Sequence, residues 1–246
     1  MSETLTPMAR SSMPAYLNQL SSPDDIGQNE VTVLLTKKGL ELRQARPEIE
    51  SFFLPEYIKK VNAQYLGSTA VDSEIKTRDY IWRGEDAEVY ELAPGIAVRE
   101  VTKRADPVAS VDRMSVLSDL ADDKLPEWIG VPDQYGVVIP ESTSDAFVAM
   151  QKVNSGINVD WLLEQDFLNE TQRKKIKRDI GEAGPSVQAE IRGAYLRLEE
   201  HMHKAVADSG RCPEDVLPDL HEGNVLVERL PAPIDDQTYK MWVIDQ

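Results

Sequence analysis

Two kinds of hydrophobic pattern divide this chain near residue 150. Between residues 76 and 150, short segments alternate polar and apolar side chains and are separated by turn residues such as Pro94-Gly95. This alternation predicts strands joined as hairpins. Residues 107–121 instead repeat apolar side chains at helical spacing, which predicts one helix inserted among the strands. The predicted strands cover residues 79–82, 88–92, 96–101, 135–139 and 147–150.

After residue 150 the pattern becomes mainly helical. Helices are predicted at residues 158–168, 171–181 and 186–208, and the last is the most regular because apolar side chains recur every three or four positions along one stripe. Two short apolar runs follow, at residues 225–227 and 241–244. A polar interruption separates them, so they predict two buried strands joined by a turn.

The first 75 residues differ from both regions. Residues 1–30 are rich in Ser, Pro, Asn and Asp and contain few large apolar side chains, which predicts a flexible tail. The β-branched run at 31–36 predicts a strand, and prolines mark the start of two short predicted helices at 47–53 and 55–66. We interpret residues 31–75 as an extension that packs against the region that follows.

Composition restricts the classes of partner. The net charge of −16 disfavours a nucleic-acid partner held by phosphate contacts. The acidic surface either steers a cationic substrate or serves only solubility. The single Cys212 cannot form an internal disulfide and fits a reducing cytoplasm. Since no apolar run approaches the roughly 18 residues of a membrane helix, and no secretory signal is recognisable, we expect a cytoplasmic protein without a membrane partner.

The segment from Asp219 to Asn224, with the sequence DLHEGN, contains the most informative polar residues of the chain. It immediately precedes the first short apolar run, and the second such run ends on Asp245. This loop, strand, turn, strand pattern predicts that two carboxylates and one carboxamide lie together at strand ends. Transfer of phosphate to a hydroxyl needs such groups, because one carboxylate orients or deprotonates the hydroxyl and the others hold magnesium.

The pattern DLHEGNVLV…WVID resembles the catalytic loop and metal-binding strand of the protein-kinase-like superfamily, and its aminoglycoside and choline phosphotransferase branch in particular. These families carry D-x-x-x-x-N, then hydrophobic residues, then Asp. The resemblance implies a two-lobed α+β fold with an antiparallel-sheet N-lobe at 76–150 and a partial helical C-lobe at 151–246. Because no residue follows Gln246, it also implies a C-lobe that is cut short after the metal-binding strand.

The resemblance assigns roles to four residues near the end of the chain. Asp219 matches the catalytic Asp, which accepts or orients the proton of the acceptor hydroxyl. Asn224 and Asp245 match the two residues that bind Mg²⁺. His221 is expected to brace the loop by hydrogen bonding rather than to act as a base.

A cationic side chain occupies the position of the family's phosphate-binding lysine. Arg99, in the sequence IAVREV, matches that lysine and is able to grip phosphate through two parallel hydrogen bonds. The family pairs this cation with a Glu on the following helix, but residues 107–121 contain no Glu. Asp112 and Asp119 are the candidate partners, and Asp112 is preferred.

The remaining nucleotide contacts are also implied by the resemblance. Gly84 and Ala87 match the second and third positions of the family's glycine-rich loop, whose backbone amides approach phosphate. The hinge at residues 150–153 would face adenine, which makes Met150 and Lys152 candidate cofactor contacts. The expected cofactors are therefore ATP and Mg²⁺.

Three functions are compatible with these features. The first is an ATP- and magnesium-dependent phosphotransferase that acts on a hydroxyl of a small molecule or protein, and the acidic surface leaves a cationic acceptor open. The second is a catalytically inactive, pseudokinase-like binding module. It is favoured by the glycine-rich loop, which retains one of the family's three glycines, and by the missing C-terminal part. The third is an unrelated α+β protein whose acidic hairpin imitates the motif.

Overall fold

The computed structural model of the protein describes residues 18–19, 31–47, 49, 80–83, 87–102, 106–140, 145–154 and 157–245. Several predictions lie outside these residues. They are Gly84, most of the tail at 1–30 and, apart from positions 47 and 49, the two helices predicted at 47–53 and 55–66.

The described chain contains mainly strands up to residue 151, then a series of helices, and finally two strands. The strands are β1 (Asn18–Gln19), β2 (Val31–Leu35), β3 (Tyr80–Arg83), β4 (Ala87–Ala93), β5 (Ile96–Thr102), β6 (Ile129–Gly130), β7 (Gln134–Pro140), β8 (Asp145–Gln151), β9 (Val225–Ile234) and β10 (Gln237–Val243). The α-helices are α1 (Lys37–Ala45), α2 (Pro107–Lys124), α3 (Val159–Leu163), α4 (Glu170–Asp179), α5 (Pro185–Asp208) and α6 (Pro213–Val216). Short 3₁₀ turns cover Gln165–Phe167 and Glu222–Asn224.

One antiparallel sheet contains seven of the described strands in the order β1-β2-β7-β8-β5-β4-β3. Its central strand β8 is buried on both faces, since successive side chains point to opposite sides of a sheet. Phe147 packs with partly buried residues of α1 on one face, and Val148 packs with Val111 of α2 on the other. The sheet is therefore the middle layer between two helices.

The segment predicted as an N-terminal extension contributes β2 to this sheet and α1 to the cover of one face. Strand β2 pairs with β7 from Val31↔Pro140 to Leu35↔Gly136. Helix α1 then lies so close to β7 that a Cβ atom added to Gly39 would stand 1.7 Å from the carbonyl oxygen of Tyr135. Glycine is required there because any side chain would collide with the backbone.

The second half of the described chain is built on a small sheet in the order β6-β10-β9. Strand β6 is parallel to β10, and β9 is antiparallel to β10. The long helix α5 buries Ile191, Leu198 and Met202 against this part of the structure, and each such side chain contributes about 2 kcal/mol of burial free energy. Met114 and Leu117 of α2 belong to the same core, so α2 is shared between the two halves.

The prediction of an α+β fold with an antiparallel sheet and helices is confirmed by these elements. None of the helices in the described part of the chain is both long enough and apolar enough to cross a membrane.

Candidate functional site

The loop from Asp219 to Asn224 is anchored by the strand that follows it. Val225 and Val227 of β9 are fully buried and fix the loop to the core. Strands β9 and β10 pair through Val243↔Val225, and the amide of Ile244 donates to the carbonyl oxygen of Asn224 at 3.0 Å. The segment just after β10, which carries Asp245, therefore lies beside this loop.

Hydrogen bonds within the loop set the arrangement of its side chains. The Asn224 side-chain amide donates to both the carbonyl oxygen and the Oδ2 atom of Asp219, each at 3.0 Å. His221 Nδ1 accepts from the amide of Gly223 at 3.0 Å, so its neutral ring carries the proton on Nε2. That Nε2 lies 3.7 Å from Asp219 Oδ1, too far for a hydrogen bond. The expected bracing by His221 is thus made to the loop backbone.

A second group of polar side chains lies where the two halves meet. Arg99 of β5 contacts Asp245, with 2.5 Å between Nη1 and Oδ2. Arg99 Nη2 donates to the hydroxyl of Ser110 at 3.1 Å, and that hydroxyl donates to Asp245 Oδ1 at 3.2 Å. Arg99 and Ser110 are both buried, whereas the Asp245 side chain is 40 % exposed. The guanidinium of Arg99, the hydroxyl of Ser110 and the carboxylate of Asp245 therefore each contact the other two. Only the carboxylate is exposed to solvent.

The helix residue beside Arg99 is Ser110, and the expectation that Asp112 fills this place is wrong. Asp112 follows two positions later and so lies about 200° further around the helix. Burial raises the pKa of Asp112, while the nearby charges of Arg211 and Arg113 lower it. The other candidate, Asp119, is exposed.

The remaining predicted cofactor contacts lie on the sheet. Ala87 begins β4 and pairs with Val101. Met150 is buried in β8. Lys152 follows that strand, and its ammonium group forms an ion pair of 2.6 Å with Glu91. Its amide donates to the carbonyl oxygen of Gly95 at 3.0 Å, so Lys152 is held to the β4–β5 hairpin at both ends.

Sequence reasoning missed Asn158 as a support of the candidate catalytic loop. Asn158 is 5 % exposed, and its side-chain amide donates to the carbonyl oxygen of Gly223. Its backbone also bridges to Leu226, while its Oδ1 atom has no hydrogen-bond partner among the described residues. The only signal in the sequence was an Asn at the start of a predicted helix, which indicates a cap rather than a loop anchor.

Asp160 is a second residue that the sequence did not single out. Its Oδ1 atom accepts from the amide of Trp161 at 2.7 Å, and the charges of His221 and Glu222 lie close enough to influence it. Partial burial raises its pKa, which the Trp161 hydrogen bond opposes. A half-buried carboxylate therefore stands next to the loop that carries Asp219.

The donor atoms of this region suit a hard cation and an anion. Asp219, Asn224 and Asp245 offer oxygen atoms, the ligands that Mg²⁺ prefers. Among the residues that the structure describes, no group of three His, Cys, Asp or Glu side chains is placed to hold a metal, so an oxygen site here depends on Asn224. Arg99 Nε is buried and has no hydrogen-bond partner among the described residues.

No family model matches this chain, and no curated protein matches it either. The chemical capacity of the site therefore follows from its own groups. These are a carboxylate and a carboxamide in a braced loop, and a carboxylate bound by a buried guanidinium.

Proposed function

We propose that this protein is an ATP- and magnesium-dependent phosphotransferase of the protein-kinase-like superfamily that acts on a hydroxyl of a small molecule or protein. The observation that carries the proposal is the contact between Arg99 of β5 and Asp245 after β10. These residues come from opposite halves of the chain and match the family's phosphate-binding cation and metal-binding Asp. Their meeting beside the loop of Asp219 is what the resemblance requires.

The order of the elements supports the proposed superfamily. Strands β3, β4 and β5 form a hairpin series, helix α2 follows, and β7 and β8 complete the antiparallel sheet. This is the arrangement of the family's small lobe. The long helix α5 then precedes the candidate catalytic loop with only the short α6 between them, which agrees with the order in the family's large lobe.

Each site residue has a role in the proposed reaction. Asp219 would accept or orient the proton of the acceptor hydroxyl, and the Asn224 hydrogen bond to its Oδ2 atom would hold it in place. Asn224 and Asp245 would hold Mg²⁺, which neutralises charge on the nucleotide phosphates when bound. Arg99 would hold phosphate through its guanidinium, whose Nη1 and Nη2 atoms contact Asp245 and Ser110.

The nucleotide itself would lie along the sheet, beside the end of β8, where the hinge at residues 150–153 begins. Gly84 and Ala87 would approach its phosphates, and Met150 and Lys152 would border the adenine. These assignments follow the resemblance. The binding of Lys152 to Glu91 and Gly95 supports a fixed position for the hinge.

The second candidate function is a catalytically inactive kinase-like binding module. One observation favours it, because the Arg99 guanidinium already contacts both Asp245 and Ser110. Phosphate would have to share that cation with a carboxylate inside the protein. A module that retained the scaffold without transferring phosphate would show this arrangement.

Nucleotide binding measured by thermal unfolding tests the proposal. ATP with Mg²⁺ at about 100 times its Kd should raise Tm by about 5 to 10 °C. The increase should depend on magnesium and vanish in Asp245→Asn. Asp236→Asn is the matched control, since Asp236 is exposed in the turn of the same hairpin.

Transfer of phosphate separates the two candidate functions. An enzyme should release ADP in the presence of its acceptor, and Asp219→Ala should abolish the release while leaving the magnesium-dependent Tm increase in place. A magnesium-dependent increase without ADP release from acceptor panels would indicate the binding module. If ATP produces no change in Tm with or without magnesium, the phosphotransferase is wrong and a binding module without nucleotide affinity is favoured.

A further inference from the structure

Ser110 forms a hydrogen bond with each partner of the ion pair between Arg99 and Asp245. Its hydroxyl accepts from Arg99 Nη2 at 3.1 Å and donates to Asp245 Oδ1 at 3.2 Å. A guanidinium only donates and a carboxylate only accepts, so the direction of both hydrogen bonds is fixed. The residue is 5 % exposed, so these two partners replace water.

The two contacts hold both oxygens of the Asp245 carboxylate. Oδ2 lies 2.5 Å from Arg99 Nη1, and Oδ1 accepts from Ser110. With only the first contact, the carboxylate is able to turn about its bond to Cβ. With both, its plane is fixed, and the Asp245 side chain, which is 40 % exposed, meets solvent in one orientation.

A hydroxyl suits this position better than a carboxylate does. A Glu or Asp at position 110 would place a second negative charge against one buried guanidinium, and like charges at short range disfavour each other. The hydroxyl of Ser110 accepts from Arg99 without adding charge. The positive charge of Arg99 is then balanced by Asp245 alone.

The helix that carries Ser110 is itself firmly placed. Val111 and Met114 of α2 are fully buried. Lys38 of α1 also contacts Ser118 and Asp122 of α2, at 2.8 and 2.9 Å from its Nζ atom. A side chain on such a rigid element is able to orient a neighbour.

We infer that Ser110 is the positioning residue that orients Asp245 for a divalent cation and keeps Arg99 beside it, in place of the Glu that the resemblance predicts on this helix. This inference rests on the proposed function, since it concerns the geometry of its metal-binding carboxylate. Ser110 acts through Asp245 and Arg99 and has no assigned contact with a substrate.

Calorimetric titration with a non-hydrolysable ATP analogue, with and without Mg²⁺, tests this role. Ser110→Ala should weaken magnesium-dependent binding about tenfold, the effect of losing one hydrogen bond to a charged group. Binding without magnesium should change less than about twofold, because Arg99 remains. Ser110→Thr, which retains the hydroxyl, should restore most of the magnesium-dependent affinity.

Ser115→Ala is the matched control on the same helix. Ser115 is also buried, but its hydroxyl donates to the carbonyl oxygen of Val111 within α2. Removing it perturbs the helix without touching Asp245, so the magnesium-dependent affinity should stay at the level of the unaltered protein. If Ser110→Ala is too unstable to titrate, Ser110→Cys takes its place, because a thiol is a weak donor of similar size.

The outcomes separate this inference from the function on which it rests. If the unaltered protein binds the magnesium nucleotide and Ser110→Ala loses no more affinity than Ser115→Ala, the role of Ser110 is wrong and the proposed function stands. If the unaltered protein shows no magnesium-dependent binding, the proposed function fails and the inference fails with it. A selective loss in Ser110→Ala, restored in Ser110→Thr, supports both.

Discussion

The two halves of the candidate site are held together in different ways. The loop of Asp219 and Asn224 is braced by hydrogen bonds within the segment 219–224, and the Asp219 side chain is 66 % exposed. The contact of Arg99 with Ser110 and Asp245 joins side chains from positions 99, 110 and 245, and the Arg99 side chain is only 11 % exposed. The first half depends on local sequence, and the second depends on the whole fold.

The largest expected effect comes from removing the cation of the half formed by Arg99, Ser110 and Asp245. Arg99→Met should lower the free energy of unfolding by about 2 to 3 kcal/mol, because Asp245 and Ser110 lose their shared partner. The value lies below that of a fully buried ion pair since the Asp245 side chain is 40 % exposed. Urea denaturation followed by circular dichroism measures the change.

Asp219→Ala tests the other half of the site, the loop that is braced by local hydrogen bonds. Because Asp219 is mainly exposed, its replacement should change the free energy of unfolding by less than about 1 kcal/mol. Equal losses in Arg99→Met and Asp219→Ala would contradict the distinction between a locally braced half and a half fixed by the fold.

Asn158 is the point at which the local half is tied to the core. Asn158→Ala removes the donor to the Gly223 carbonyl and should cost about 1 to 2 kcal/mol, since a buried hydrogen bond is lost. The amides of Gly223 and Asn224 should also exchange with deuterium faster. Hydrogen exchange followed by mass spectrometry or NMR measures both positions.

Asn169→Ala is a control of similar thermodynamic size. Asn169 caps α4 and accepts from the amide of Gln172 at 2.9 Å, so its loss should cost about 1 kcal/mol. It should leave exchange in the loop unchanged, because α4 makes no contribution to the Gly223 hydrogen bond. Faster loop exchange in both variants would mean that global stability, and not Asn158, controls the loop.

Features with a local cause could be predicted from the sequence. The alternating pattern around Glu88 to Val101 and the stripe of α5 both come from side-chain periodicity, and the structure has strands and a helix there. The position of Asn224 beside Asp219 likewise follows from a short loop before a buried strand. Whether these groups bind magnesium and nucleotide stays a prediction.

Features with a tertiary cause could not be predicted in this way. Charge alone favoured Asp112 as the partner of Arg99, but the partner depends on which face of α2 meets the sheet, and Ser110 lies on that face. Strand β6 has two residues, too few to produce a pattern, and it exists because β10 pairs with it. Pairing between β2 and β7 joins segments about 100 positions apart, and no pattern within either segment identifies its partner strand.

The smallest expected effect tests whether the loop half of the site also includes Asp160 of α3. Burial raises the pKa of Asp160 above its ordinary value of 3.8. A carboxyl whose folded-state pKa is raised destabilises the native protein when ionised, at pH values above that pKa, and the penalty disappears as the pH falls toward 3.8. Asp160→Asn should therefore raise Tm at pH 7 by about 1 °C, a small shift because solvent screens a half-exposed group.

The pH dependence distinguishes this cause from a general stabilisation. The difference in Tm between Asp160→Asn and the unaltered protein should shrink as the pH falls through the raised pKa and vanish below 3.8. Asp166→Asn, at an exposed position in the following turn, serves as the control and should leave Tm nearly unchanged at pH 7. If Asp160→Asn gains stability but loses magnesium-dependent nucleotide binding, the protein retains a destabilising carboxylate for its function, and the loop half of the site extends to α3. If both stability and binding fall, the negative charge of Asp160 stabilises the fold and the loop half ends at the segment 219–224.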